Sequence, residues 1–159
     1  MSIFSGLFKK KIKGSLKSFR YSPGYSDMLG ASHSSLLEKN AEGAWIFVTS
    51  DREEHSGPET VITYSVSPEA ASGFENFIKE TNFVSLSTRR KSSDFITDYS
   101  PWSFSIEFDC YASGGSSCEY FSIGEIREYT AMDRDLIKQV LAKFNALKSE
   151  KLSEVKEED

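Results

Sequence analysis

Between Trp102 and Tyr111 the chain alternates without a break. Trp102, Phe104, Ile106, Phe108 and Cys110 stand against Ser103, Ser105, Glu107, Asp109 and Tyr111. A period of two puts the large apolar side chains on one face of a strand. Gly114 and Gly115 sit in a run of small residues where the chain can reverse, and Tyr120, Phe121 and Ile123 supply a returning arm. Residues 100–124 therefore read as one β-hairpin. A lone hairpin is marginal in water, so its apolar face requires partners from the rest of the chain.

Those partners are legible. Phe19 and Tyr21 alternate with Ser18 and Arg20, and Pro23-Gly24 ends that strand. Residues 34–39 and 44–50 flank Asn40-Ala41-Glu42-Gly43, whose Asn and Gly tolerate positive φ and so predict a hairpin turn. Residues 59–66 (ETVITYSV) predict the next strand. Ser67-Pro68-Glu69 is a helix start, with an N-cap, a proline at the first position and an acid near the positive end of the dipole. Ala70, Ala71, Phe74, Phe77 and Ile78 form its buried face. Thr130 and Asp133 are spaced as a capping box, and Leu136, Ile137, Val140, Leu141, Phe144 and Leu147 draw an apolar stripe at helical spacing. Residues 82–100 are irregular, and a loop of that length is either mobile or functional.

The predicted fold class is α+β: an antiparallel sheet of five or six strands with two helices, at 68–80 and 130–148, packed on one face. Each helix has a single apolar stripe to bury, and one sheet face accommodates both. The expected domain spans 18–148. Before it, residues 1–17 form a basic amphipathic leader, frayed or docked on the body through Ile3, Phe4, Leu7, Phe8 and Ile12. After it, residues 149–159 form an acidic tail, expected to be disordered.

Charge divides the same way. The 159 residues carry a formal charge of −5, but residues 1–26 hold six basic residues and no acid. Residues 150–159 hold five acids and two lysines, which leaves −8 for residues 27–149. Nucleic-acid surfaces cluster Lys and Arg, so no nucleic-acid partner is expected of the body. Residues 1–14 have the composition for weak membrane-surface contact at most. No apolar run is long enough for a transmembrane helix. The apolar residues of the start precede its lysines, the reverse of a secretory signal. With only two cysteines, this predicts a cytoplasmic protein.

Candidate chemistry is sparse. Cys110 and Cys118 flank the hairpin tip, where a cross-strand disulfide is conceivable, but His33 and His55 are the only histidines and neither stands at metal-ligand spacing. No metal, no cofactor and no catalytic residue is assigned. Ser113-Gly114-Gly115-Ser116 lacks the lysine and the strand-to-helix setting of a phosphate loop and reads as a hairpin tip. The candidate binding residues are Arg89, Arg90 and Lys91, which could grip an acidic partner, and Tyr99, Glu107, Asp109 and Tyr111 on or beside the polar sheet face. Asp94 and Asp98 could join Glu107 and Asp109 in a carboxylate cluster. Trp102, Tyr120 and Tyr129 complete an aromatic set of the kind that dominates binding hot spots, although Trp102 also suits the core.

The chain resembles a widespread group of small, uncharacterised bacterial α+β proteins. The likeness lies in residues 6–13 (GLFKKKIK), the strand at 19–24, Tyr64-Ser65-Val66, Trp102-Ser103 and Ile106-Glu107-Phe108. It departs at the hairpin tip, where a Ser/Gly run with two cysteines replaces an acid-glycine turn. The resemblance implies a fold and carries no activity. The functional expectation is a non-enzymatic binding module, with another protein as partner, using an exposed sheet face and the loop at 86–100. One alternative is a small hydrolase-like enzyme using His33 or His55 with Asp98. Another is an immunity-like protein whose acidic body neutralises a basic partner.

Overall fold

The computed structural model describes residues 12, 14–24, 31–54, 57–92, 101–109 and 119–157. They form seven strands: β1 (Ser15–Ser22), β2 (Ser32–Lys39), β3 (Trp45–Arg52), β4 (Glu59–Ser65), β5 (Ser103–Asp109), β6 (Glu119–Gly124) and β7 (Lys151–Glu157). Two α-helices, α1 (Pro68–Glu80) and α2 (Ala131–Asn145), and a 3-10 helix, Phe83–Thr88, complete the α+β fold. The strands make one antiparallel sheet in the order β6-β5-β1-β2-β3-β4-β7.

Local chemistry fixes the connections. In the β2–β3 turn the Asn40 side-chain oxygen accepts the N–H groups of Glu42 and Ala44, both at 3.0 Å, and Gly43 takes φ 84°. Ser67 caps α1 by accepting the Ala70 N–H at 3.1 Å. Thr130 and Asp133 close a reciprocal capping box on α2. A bulge between Leu16 and Ser18 breaks the β1–β5 ladder. The Leu16 N–H is taken instead by the Glu75 carboxylate of α1 at 2.7 Å, so the irregularity ties helix to strand.

The core forms along one register line. Phe121, Ile106, Phe19, Leu37, Phe47 and Tyr64 are successive cross-strand partners from β6 to β4. Phe19 has no exposed surface. Its ring lies 5.0 Å from Phe74 of α1 and 4.8 Å from Phe144 of α2, so both helices deliver an aromatic ring to the same side chain. Phe144 also reaches Phe47 at 4.7 Å. Phe83, from the 3-10 helix, meets Phe104 edge-on at 5.5 Å.

Four expectations are corrected. The sheet has seven strands rather than five or six. The seventh comes from the stretch expected to be a disordered tail: residues 151–157 pair with β4 along its length, and Ser65 N–H donates to the Glu150 carbonyl at 2.8 Å. Its composition is that of a disordered tail, but the ladder, not burial, orders it. Residues 15–17, placed in the leader, open β1, and Ile12 packs against the core. The stretch after residue 82 is not wholly irregular, since Phe83, Val84 and Leu86 are buried in the 3-10 helix. The tip cysteines Cys110 and Cys118, and leader residues 1–11 and 13, lie outside the described residues. No helix of the described residues is long and apolar enough to cross a membrane.

Candidate functional site

At one end of the sheet, where β1 and β5 meet α2, aromatic side chains form the floor of a groove of about 320 Å³. Tyr21 and Phe104 are cross-strand partners with rings 4.7 Å apart. Trp102, just before β5, meets Phe104 edge-on at 5.8 Å and lies nearly parallel to Tyr129 at 6.0 Å. α2 forms the facing wall. Ile137 and Leu141 are half-buried there, and Arg134 and Lys138 are exposed at the rim. Positions 134, 137, 138 and 141 recur at helical spacing, so one face presents both aliphatic and cationic groups.

The polar groups of the floor are held in their protonated forms. Tyr129 donates to the Gly124 carbonyl at 2.5 Å. Burial pushes its phenol up to about 12, against the opposing pull of nearby Arg127. Burial also raises Tyr21, helped by the negative charge of Glu125. The Glu125 carboxylate accepts the Trp102 N–H at 3.4 Å. At neutral pH the two phenols can donate hydrogen bonds but cannot act as bases.

A lattice of polar contacts braces this end of the fold. Arg89 forms a two-pronged ion pair with Asp133, at 2.9 and 3.1 Å. Asp133 is held below the ordinary carboxylate value, chiefly by the Arg89 hydrogen bonds and then by the backbone N–H of Thr130, while burial opposes both. Arg127 donates to the Arg89 carbonyl at 2.8 Å, and Glu128 N–H to the Arg90 carbonyl at 2.8 Å. Residues 89–92 are thus laced to residues 126–128.

The residues singled out in the sequence fall in separate places. Arg89 is a structural anchor, its fork filled by Asp133. Arg90 and Lys91 are exposed beside it. Glu107 lies on the opposite sheet face, 3.8 Å from Lys17. Asp109 closes β5, its carbonyl against Gly14. Tyr120 is exposed, and its hydroxyl donates to Ser105 at 3.1 Å on that opposite face. Tyr99, Tyr111, Asp94, Asp98 and His55 lie outside the described residues. His33 pairs with Asp51, its neighbour on β3. No group of three metal-ligating side chains occurs among the described residues.

Sequence reasoning grouped Trp102 and Tyr129 in one aromatic set but missed Arg134 and Lys138. The spacing that places both cations on the same helical face as Ile137 and Leu141 was the available signal.

The fold and groove together define a small α+β protein with an aromatic-floored, cation-rimmed cleft at one end of a seven-stranded antiparallel sheet. Comparison of the chain with family models, with curated proteins and with solved structures finds no match.

Proposed function

We propose that the protein is a non-enzymatic binding module and that its ligand site is the groove between the sheet and α2. The observation that carries this reading is the convergence of four aromatic rings with two cationic side chains that make no ion pair among the described residues. A concave, mostly apolar wall with a few placed polar groups is the usual form of a small-molecule site, and the volume falls at the lower end of the usual ~300–1,000 Å³ range. The protonated Tyr21 phenol supplies a donor without a base. The test is a fragment titration followed by amide and indole N–H chemical shifts. Flat aromatic fragments are expected to move the Trp102 indole and the residues around 134–141. Shifts confined to other surfaces, or none, overturn the reading.

A second reading keeps the opposite sheet face as a surface for another protein. It rests on Phe74 of α1 and Phe144 of α2 both meeting Phe19 from the other face. Register brings Leu36 beside Val48, and Ile46 and Val61 occupy the same face on neighbouring strands. This aliphatic strip lies among Arg20, Glu38, Arg52 and Glu59, and a strip of this kind is what interface centres contain. A Val48→Asp variant that folds normally and keeps every interaction of the wild type removes this face from consideration.

A further inference from the structure

We infer that the ligand of the groove is a small planar aromatic carboxylate, bound with its ring on the Trp102–Tyr129 floor and its carboxylate against Arg134 and Lys138. The inference rests on the binding reading above and adds the ligand's shape and charge. Shape comes from the floor. Trp102 and Tyr129 stay partly exposed with their rings nearly parallel at 6.0 Å, and a flat ring covers them at little entropic cost. Size comes from the volume of about 320 Å³, which suits one or two fused rings rather than a peptide.

Charge comes from the wall. Arg134 and Lys138 stand one helical turn apart on the same face of α2, and no acidic side chain lines the groove among the described residues. The nearest acid in the argument is Glu125, which raises Tyr21 on the sheet side and is engaged with the Trp102 N–H. The groove is therefore polarised, negative beside Tyr21 and positive beside α2. A carboxylate is repelled from the first end and drawn to the second, which sets the direction in which the ligand lies. The forked guanidinium of Arg134 matches a carboxylate in geometry, and Lys138 adds a second positive charge.

The probes are 2-naphthoate and its neutral counterpart 2-naphthamide, titrated calorimetrically into the full-length protein. The variants are Arg134→Gln/Lys138→Gln, which alters only exposed groups, and Leu141→Trp, which fills the groove. Wild type is expected to bind 2-naphthoate at least threefold more tightly than 2-naphthamide. The double variant is expected to erase that preference, weakening the naphthoate by roughly three- to tenfold, the range for two exposed ion pairs. Leu141→Trp is expected to abolish both. Equal binding of the two probes to wild type overturns the inference while leaving the binding reading intact. Binding of neither probe, or binding that survives Leu141→Trp, overturns both. Circular dichroism of each variant confirms that any loss is not loss of fold.

Discussion

The two flanks of the sheet are built on different terms. On the β6-β5-β1 flank Phe104, Ile106, Phe108 and Phe19 have no exposed surface, and Phe121 and Ile123 are buried beside them. Rings from α1, α2 and the 3-10 helix interlock over this region. On the other flank no residue of β4 is fully buried, and every residue of β7 is exposed. Here Lys148 lies 5.5 Å from the rings of both Phe47 and Tyr64, so an amphipathic stem stands where the first flank has a helix face. One flank is held by packing and the other by the hydrogen-bond ladder. The open edge of β7 is protected by Lys151, Glu154, Lys156 and Glu157, charges that discourage a further strand from adding.

This difference predicts where the fold breaks. Phe19→Ala removes a ring that touches Phe74, Phe83, Phe104 and Phe144, and should cost about 3–5 kcal/mol. Ile62→Ala, on half-exposed β4, should cost about 1–2 kcal/mol, since the side chain is already partly in water. Urea unfolding of both variants measures the ratio. Equal losses would show that the flanks are not energetically distinct.

The next largest effect tests the lattice beside the groove. Asp133→Ala deletes the Thr130 N–H to carboxylate half of the α2 capping box and leaves Arg89 without its partner, at an expected cost of about 2–3 kcal/mol. Arg89 is 37% exposed, so water can take over part of its solvation and the loss stays below that of a fully buried pair. The pH signature has a definite sign. Folding lowers the Asp133 carboxyl from its ordinary 3.8, so near that pH the unfolded chain binds more protons. The contribution is present above about pH 4 and is lost as pH falls through the lowered value. Asp133→Ala should flatten that part of the acid limb, and an unchanged limb would place the stabilisation elsewhere.

The same contrast explains what could be read in the chain beforehand. The packed flank announces itself: the alternation at 102–110 and the stripe from Leu136 to Leu147 are periodic signals, and each corresponds to an element that buries apolar surface. β7 has no such signal, because Leu152 and Val155 among charges resemble a solvated tail, and only the partner strand makes them a strand. The 3-10 helix was hidden differently. Asn82 turns the chain at φ 53° after α1, so Phe83, Val84 and Leu86 enter the core without helical spacing. The groove escaped because its parts lie far apart in sequence, at 21, 102–104 and 129–141, and only tertiary structure assembles them. Arg89 was legible as a cation but not as an anchor, since its partner lies 44 residues away.

A smaller effect probes where the packed flank begins. A Cβ on Gly14 would lie 2.1 Å from the Asp109 carbonyl oxygen, so the start of β1 fits against the end of β5 only without a side chain. Gly14→Ala should cost about 1–2 kcal/mol, because the clash is with backbone and relief requires the strand end to shift. Hydrogen exchange should show faster opening at residues 15–18 and 107–109 with the β2–β3 ladder unchanged. Protection that falls across the whole sheet would instead make this junction part of the global unfolding unit.

The smallest effect belongs to the ladder-held edge. Val155 is 49% exposed on β7 and pairs with Val61 of β4. Val155→Thr keeps the β-branched shape and the backbone hydrogen bonds while removing only aliphatic character. If β7 is held by its ladder, stability should change by no more than about 0.5 kcal/mol, as for other surface substitutions. A loss above about 1.5 kcal/mol, the scale of a buried side chain, would mean that this face of β7 is covered in solution. Sedimentation at two protein concentrations then identifies the cover, since a second copy would dissociate on dilution and an intramolecular contact would not.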